Sequence, residues 1–335
     1  MQLDNTSAIN NARLPKVSVL MITYNHAKYI GQAIESVLMQ KTTFPMEVVI
    51  GEDCSTDGTR AIVQTYSQRY PELIRAILPE TNQGPFHNLR RTLNACRGEY
   101  VAGLEGDDYW TDPNKLQIQA DFLDSHPECA SSFHKVMQVF DDGSRPSVEA
   151  PNFQKHAATI EDLLAGEFGN LIPSCSAMWR RGLFDSLPHW VEEIGFSDWV
   201  IHVLNAAKGR AGFINRCMGV YRIHAGGIWS TQSWRSVMER WVKAYDYIDR
   251  ELGGRYHSIC IDAKFRRLAG YAVGALERGD PDARSSVWRA LRTGPPYRRA
   301  REKASLLLRL YAPALLRGAA RIKRGIRLCA PAPRP

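Results

Sequence analysis

Tyr100-Val101-Ala102-Gly103-Leu104-Glu105-Gly106-Asp107-Asp108-Tyr109-Trp110 is the stretch around which the rest of the chain falls into place. Its apolar run, Tyr100 to Leu104, has the length and composition of a buried strand, and three acids follow directly. Open α/β sheets place ligands beyond the carboxyl ends of their strands, so chemistry is expected here. Packed carboxylates repel one another and their pKa values rise unless a cation sits among them. The pattern therefore predicts a divalent metal, magnesium or manganese, held by one or two carboxylates and by substrate phosphates. A plainer alternative is an acidic turn with solvated carboxylates that caps a helix starting near Pro113.

Upstream, the same alternation repeats. Residues 17–23, Val-Ser-Val-Leu-Met-Ile-Thr, read as a buried parallel strand, followed by Tyr24-Asn25-His26 and a helix with Ile30, Ile34, Val37 and Leu38 on one face. A second strand, Glu47 to Gly51, runs into Glu52-Asp53-Cys54-Ser55-Thr56-Asp57-Gly58-Thr59 and a helix that turns Ile62, Val63 and Tyr66 inward. The third strand, Ile74 to Leu78, leads into Asn82-Gln83-Gly84 and a helix from about Phe86 to Ala95. Strands alternating with helices in this way predict an α/β fold with a wound, mostly parallel sheet.

Downstream, Lys115 to Ser125 reads as a helix, 129–140 as a strand, 141–158 as an irregular loop and 174–179 as another strand. Thr159 with Asp162 resembles a helix start before Leu163 and Leu164, and Asp198 opens a helix, Trp199 to Ala207, that stops at Lys208-Gly209. A strand pair near 211–223 delivers Tyr221-Arg222-Ile223-His224. Beyond Thr231 only helices are expected: Arg235–Leu252, Ser258–Arg278, Arg284–Arg292 and Glu302 to about Leu328.

The 335 residues suffice for one large α/β domain with an appendage. Seven scattered cysteines without a CxxC pair fit reduced thiols in a cytosolic protein. Residues 1–14 are polar and are expected to form a flexible N-terminus without a signal peptide, and no apolar run reaches transmembrane length. The net charge of +8 is concentrated at one end: from Arg289 onward there are thirteen Lys or Arg against the single acid Glu302.

The ordered set of Thr23-Tyr24-Asn25, Glu52-Asp53 with Asp57-Gly58-Thr59, Asn82-Gln83-Gly84 and Glu105-Gly106-Asp107-Asp108 resembles the inverting family 2 glycosyltransferases of bacterial surface-polysaccharide type. The resemblance covers about residues 15–230 and implies a GT-A fold, a Rossmann-like wound sheet, with residues 231–335 as a helical C-terminal extension. It implies a nucleotide-sugar donor bound by Thr23, Tyr24, Glu52, Asp53, Glu105 and Asp107, with Asp53 accepting hydrogen bonds from the base. It also implies a divalent metal, Mg or Mn, on Asp107, Asp108 and His224. The first acid is Glu105 where the family usually has Asp, so which acids coordinate directly stays open, with Asp107 the first choice. In the family the base lies in an acidic motif at a helix start, and Phe196-Ser197-Asp198-Trp199 is the matching stretch, with Ser197 in place of the usual neighbouring acid. Asp198 is thus the candidate base, although helix N-capping would also explain it; Asp57 likewise suits a cap.

The expected activity is transfer of a hexosyl or N-acetylhexosaminyl group to a hydroxyl of a glycan or lipid-linked acceptor. Two further readings stay open: a sugar nucleotidyltransferase, disfavoured because no Gly-rich phosphate loop follows the first strand, and a non-catalytic glycan- or membrane-binding relative. The final helix carries Leu306, Leu307, Leu310, Leu315, Ile322 and Ile326 among its cations. It would suit either an anionic membrane interface at the inner face of the cytoplasmic membrane or packing on the catalytic domain. Nucleic acid is an unlikely partner, since no recognition motif accompanies the charge.

Overall fold

A computed structural model describes residues 14–165, 171–227 and 232–312. They divide into two compact units, one running to Leu163 and resuming after the undescribed segment to residue 227, the other comprising the end of the helix at Leu164 and everything from 232 onward.

The first unit alternates strand and helix from its start: β1 (Val17–Thr23), α1 (Ile30–Leu38), β2 (Met46–Glu52), α2 (Thr59–Arg69), β3 (Ile74–Ile77), α3 (Pro85–Ala95) and β4 (Tyr100–Glu105). These strands lie parallel in the order β3-β2-β1-β4. Val17, Val19 and Met21 of β1, Val48 and Ile50 of β2, and Tyr100, Ala102 and Leu104 of β4 are all buried, as expected of strands covered on both faces. Helix α1 lays Ile30, Ala33, Ile34 and Val37 against them.

The opposite, amino end of these strands is tied by a buried polar knot. Ser18 donates to Glu47 at 2.6 Å and accepts the Gly98 amide at 2.7 Å, while Arg97 grips Glu47 through Nε and Nη2 at 3.0 and 2.7 Å. Burial opposes the charge on Glu47, but the Ser18 and Arg97 hydrogen bonds hold its pKa below the ordinary carboxylate value. With that end fixed, the carboxyl ends remain available for chemistry.

The sheet continues through β5 (Tyr109–Trp110), α4 (Lys115–Ser125), β6 (Cys129–Phe140), β7 (Val148–Ala150), β8 (Ala157–Ala158), α5 (Ile160–Ala165), β9 (Met178–Arg180), α6 (Val191–Ile194), α7 (Ser197–Ala206) and β10 (Arg210–Ile223). Beyond β4 the order is β9-β6-β10-β5, with β7 on β6 and β8 on β10; β9 is antiparallel to both neighbours and β6 parallel to β10. The fold is therefore α/β, with a parallel half and a mixed half.

Three expectations differ from the structure, the first being the irregular loop at 141–158, which carries β7 and β8 where its backbone pairs with β6 and β10. The strand pair near 211–223 is one strand, β10, whose register against β6 shifts between Ile214 and Gly219. The polar pair Asn215-Arg216, which resembles a turn, is absorbed as a bulge with Arg216 paired to Asp112. The strand at 174–179 begins instead as a 3₁₀ turn, Ser174–Ser176, because Ser176 donates back to the Pro173 carbonyl at 2.7 Å.

The second unit contains α8 (Trp234–Glu251), α9 (His257–Arg278), α10 (Ala283–Arg292) and α11 (Ala300–Tyr311). Met238, Val242, Phe265, Leu268, Val287 and Leu306 form its core. Lys303 is buried because its ammonium group caps α10, donating to the carbonyls of Thr293, Gly294 and Pro295 at 2.9 to 3.3 Å. The expected helix from Glu302 to Leu328 is seen as far as Tyr311; its remainder, like residues 1–13, lies outside the described residues. Among the described residues no helix is long and apolar enough to cross a membrane, and all six cysteines are free thiols.

Candidate active site

Two loops at the carboxyl ends of β1 and β2 are laced together, and this lacing accounts for the first two motifs. Asn25 donates its amide to Ser55 Oγ at 2.9 Å and accepts the Thr56 amide at 2.9 Å. Asp57 accepts from the Ala27 amide at 2.9 Å and from the Thr59 amide at 3.0 Å, and the Thr59 hydroxyl accepts the His26 amide at 2.8 Å. Asn25 and Cys54 hold φ of 54° and 59°, a left-handed conformation that Asn tolerates and Cys rarely adopts. Asp57 thus ties the loops together, and its hydrogen bonds keep its pKa low against the cost of burial.

Asp53 is buried at the end of β2 and accepts the amides of Gln83 at 3.1 Å and Gly84 at 2.8 Å. Gly84 holds φ of 85°, a conformation open to glycine that lets its amide face Asp53. The third motif, Asn82-Gln83-Gly84, is therefore docked on the second. Glu52 turns away from the cavity: its Oε1 accepts the Ser55 amide at 2.6 Å, and Arg60 Nε lies 3.7 Å from its Oε2.

At the end of β4 the acids separate by environment. Asp107 Oδ2 lies 3.0 Å from His224 Nε2 and 3.7 Å from His26 Nε2, while its Oδ1 is buried without a hydrogen-bond partner. Burial works against ionisation of Asp107, but the hydrogen bond from His224 and the nearby His26 keep its pKa low. Asp108 points beneath the turn, accepting the Arg222 amide at 2.8 Å. Burial, then the charge of Asp107, raises its pKa well above the carboxylate range. Glu105 is raised likewise by burial, then by Asp107, Asp108 and Asp198. Arg222 pins the turn: its guanidinium bonds the Asp107 carbonyl and Gln32 and stacks 4.5 Å from the Tyr109 ring centroid. Gly106 is required here, since a Cβ on it would fall 2.5 Å from Thr23 Oγ1.

Two overlapping groups, His26 with Asp107 and His224, and Glu105 with Asp107 and Asp108, each bring their ligand atoms within 4.8 Å. The unpartnered Asp107 Oδ1 and the mutual repulsion of the three acids both fit a cation at this point.

Helix α7 begins beside this cluster and presents Asp198 in its first turn. One turn on, His202 is buried, and burial brings its pKa down to about 4 despite the opposing pull of Asp198 and of a hydrogen bond to the Ile172 backbone. Tyr221 of β10 is held as a neutral phenol, its pKa raised by burial and then by the surrounding acids.

A cavity of about 540 Å³ collects these groups: Thr23, Tyr24, Asp53, Glu105, Asp107, Asp198 and His224 all line it. Glu52 and Asp108 do not, because backbone amides behind the cavity claim their carboxylates. The cavity also takes in His26, His202, Tyr221 and Arg222, to which sequence reasoning assigned no role. The only signal for these lay in position: His26 follows Thr23-Tyr24-Asn25 directly, and His202 stands four residues after Asp198.

A family model described as Glycosyl transferase family 2 matches residues 18–187. The uncharacterized protein Rv1520 of Mycobacterium tuberculosis is 42% identical over 214 residues, which are 64% of this chain and 60% of that protein. The chain thus spans about three-fifths of that relative's length. The putative teichuronic acid biosynthesis glycosyltransferase TuaG of Bacillus subtilis is 29% identical over 239 residues, 70% of this chain and 89% of TuaG. Among solved structures, residues 1-349 of S. aureus TarS in complex with UDP-GlcNAc superpose with a TM-score of 0.60 at 22% identity, covering 84% of this chain and 82% of that one. At that identity the likeness is one of fold.

Proposed function

Since the chain belongs to glycosyl transferase family 2, we propose that it transfers a sugar, with inversion, from a nucleotide-sugar donor to a hydroxyl of a glycan or lipid-linked acceptor in cell-surface polysaccharide biosynthesis. The observation that carries this reading is the meeting of Asp53, Asp107 and Asp198, from three separate strand and helix ends, in one cavity. The UDP-GlcNAc bound by TarS supports a nucleotide-sugar donor, and the similarity to TuaG, a putative teichuronic acid biosynthesis glycosyltransferase, supports a place in surface-polysaccharide biosynthesis.

Asp53 keeps acceptor capacity beyond its two backbone amides, so a base N–H can join them, with Thr23 and Tyr24 lining the same wall. A divalent cation on Asp107, with His224 and with Glu105 or Asp108, would supply Lewis-acid neutralisation of the charge on the departing diphosphate. Asp198 accepts the proton of the acceptor hydroxyl while that oxygen bonds the anomeric carbon and the bond to the diphosphate breaks on the opposite face. Tyr221, protonated among the acids, can donate a hydrogen bond within the cavity. The cations beyond Tyr311 are proposed to meet an anionic membrane surface, which would suit a lipid-linked acceptor.

The stereochemistry tests the transfer. Given an α-linked nucleotide sugar and an acceptor-bearing membrane extract, the chain is expected to form a β-linked product, read from its anomeric proton signal. An α-linked product would overturn the single displacement with Asp198 as base.

A further inference from the structure

The cation site has a feature absent from the acidic motif. His26 enters it from the loop after β1, and His224 enters from the end of β10. Both Nε2 atoms face the same Asp107 oxygen, at 3.7 and 3.0 Å, and the two rings stand 6.1 Å apart at 79°. Metal–nitrogen and metal–oxygen bonds of about 2.0 to 2.2 Å give neighbouring ligand atoms separations of roughly 3 to 4 Å, so these spacings are those of three ligands around one ion. The placement of His26 is rigid: its amide donates to Thr59 Oγ1 at 2.8 Å, and its carbonyl accepts the first amides of α1, from Tyr29 and Ile30, both at 2.8 Å. Its ring Nδ1 is buried without a hydrogen-bond partner among the described residues, so the ring is held by the backbone at His26 and by packing. Independently, Asp107 Oδ1 is buried with nothing to satisfy it.

Magnesium is a hard ion that keeps its waters and is held mostly by oxygens, much of its binding coming from substrate phosphates. Imidazole nitrogens favour first-row transition ions instead. We propose that His26, Asp107 and His224 form a two-imidazole, one-carboxylate site that selects a first-row transition cation over magnesium and holds it before any nucleotide arrives. The inference rests on Asp107 being the cation-bearing acid of the proposed transferase.

The test uses the full chain stripped with chelator, with Mn²⁺ alone as the probe and no nucleotide. Bound Mn²⁺ is expected to show electron spin-echo modulation from two histidine nitrogens, confirmed by ¹⁵N-histidine labelling of the wild type. His26→Ala and His224→Ala should each leave one such nitrogen, and about a hundredfold excess of Mg²⁺ should not displace the Mn²⁺. Mn²⁺ that stays free without nucleotide, that shows fewer than two histidine nitrogens in the wild type, or that Mg²⁺ displaces at parity overturns the proposal. The labelled wild-type count decides the matter even if a variant fails to fold. Donor turnover is scored separately: turnover with no such Mn²⁺ signal sinks this inference alone, whereas the signal without turnover on any donor sinks the transferase reading alone.

Discussion

His224 Nε2 stands 3.0 Å from Asp107 Oδ2, joining the end of β10 to the turn after β4 across 117 residues of chain. The same turn is held from β10 by Arg222, so the acids are fixed on both sides before any ligand binds. An ion bound there stabilises the folded state in proportion to its occupancy, about 2.7 kcal/mol at a hundredfold excess over its dissociation constant. Thermal unfolding of the wild type should therefore shift upward on adding Mn²⁺, and Asp107→Ala should abolish that shift. An equal shift in the variant would place the ion elsewhere.

Asp198→Asn keeps the shape of the side chain and removes its basicity. A positioned general base contributes about 10²- to 10⁴-fold. Transfer should fall by that factor while donor affinity, measured by titration, stays within about twofold; a parallel loss of affinity would make Asp198 a donor ligand instead.

Lys115 is fully buried, its ammonium 3.7 Å from the Trp110 ring centroid and without a hydrogen-bond partner. The cation–π contact is worth about 2 kcal/mol when desolvated, which offsets only part of the burial cost, and burial moves the pKa well below the ordinary lysine value. A folded-state pKa below the unfolded one means the unfolded chain holds more protons, so stability rises with pH through the range between the two. Lys115→Met should melt higher at neutral pH, by about 1 to 3 kcal/mol, and should lose that alkaline gain. A lower melting point would show that the ammonium is needed for stability.

His134 and His202 are buried with pKa values brought down to about 3 and about 4, in both cases chiefly by desolvation. Here too the folded pKa lies below the unfolded one. Stability is complete above pH ~6.5 and is lost as pH falls towards the folded values, by up to about 1.4 kcal/mol per pH unit for each histidine. Glu105 and Asp108, whose pKa values are raised, act in the opposite sense. Denaturant titrations of wild type and His134→Gln between pH 6.5 and 4 isolate one histidine: the variant should lose stability less steeply, and identical slopes would contradict its neutral burial.

Much of this was legible in the sequence, because strands β1, β2 and β4 are mostly apolar, broken only by Ser18 and Glu47 near their starts, and each ends in polar residues. Periodicity and the order of the motifs were enough to infer a wound sheet with acids at its carboxyl edge. What stayed hidden depends on long-range partners. His26 reads as loop until β4 brings Asp107 beside it. Arg222 reads as one cation among many until its amide meets Asp108 and its guanidinium meets the Asp107 carbonyl. The polar Asn215-Arg216 pair mimics a turn because sequence pattern does not distinguish a bulge from a hairpin end. Glu52 and Asp108 look equivalent to Asp53 and Asp107 in the sequence; only the backbone amides of Ser55 and Arg222 draw them out of the cavity.

The most direct test of the central claim is release of nucleoside diphosphate by the purified chain across a panel of nucleotide sugars, in Mn²⁺, in Mg²⁺ and in EDTA, with membrane extract supplying acceptors. One donor should be turned over, with release abolished by EDTA and reduced at least about a hundredfold in Asp107→Ala, since Lewis-acid stabilisation is worth several kcal/mol. No release from any donor, or release indifferent to EDTA and to Asp107, would contradict the account.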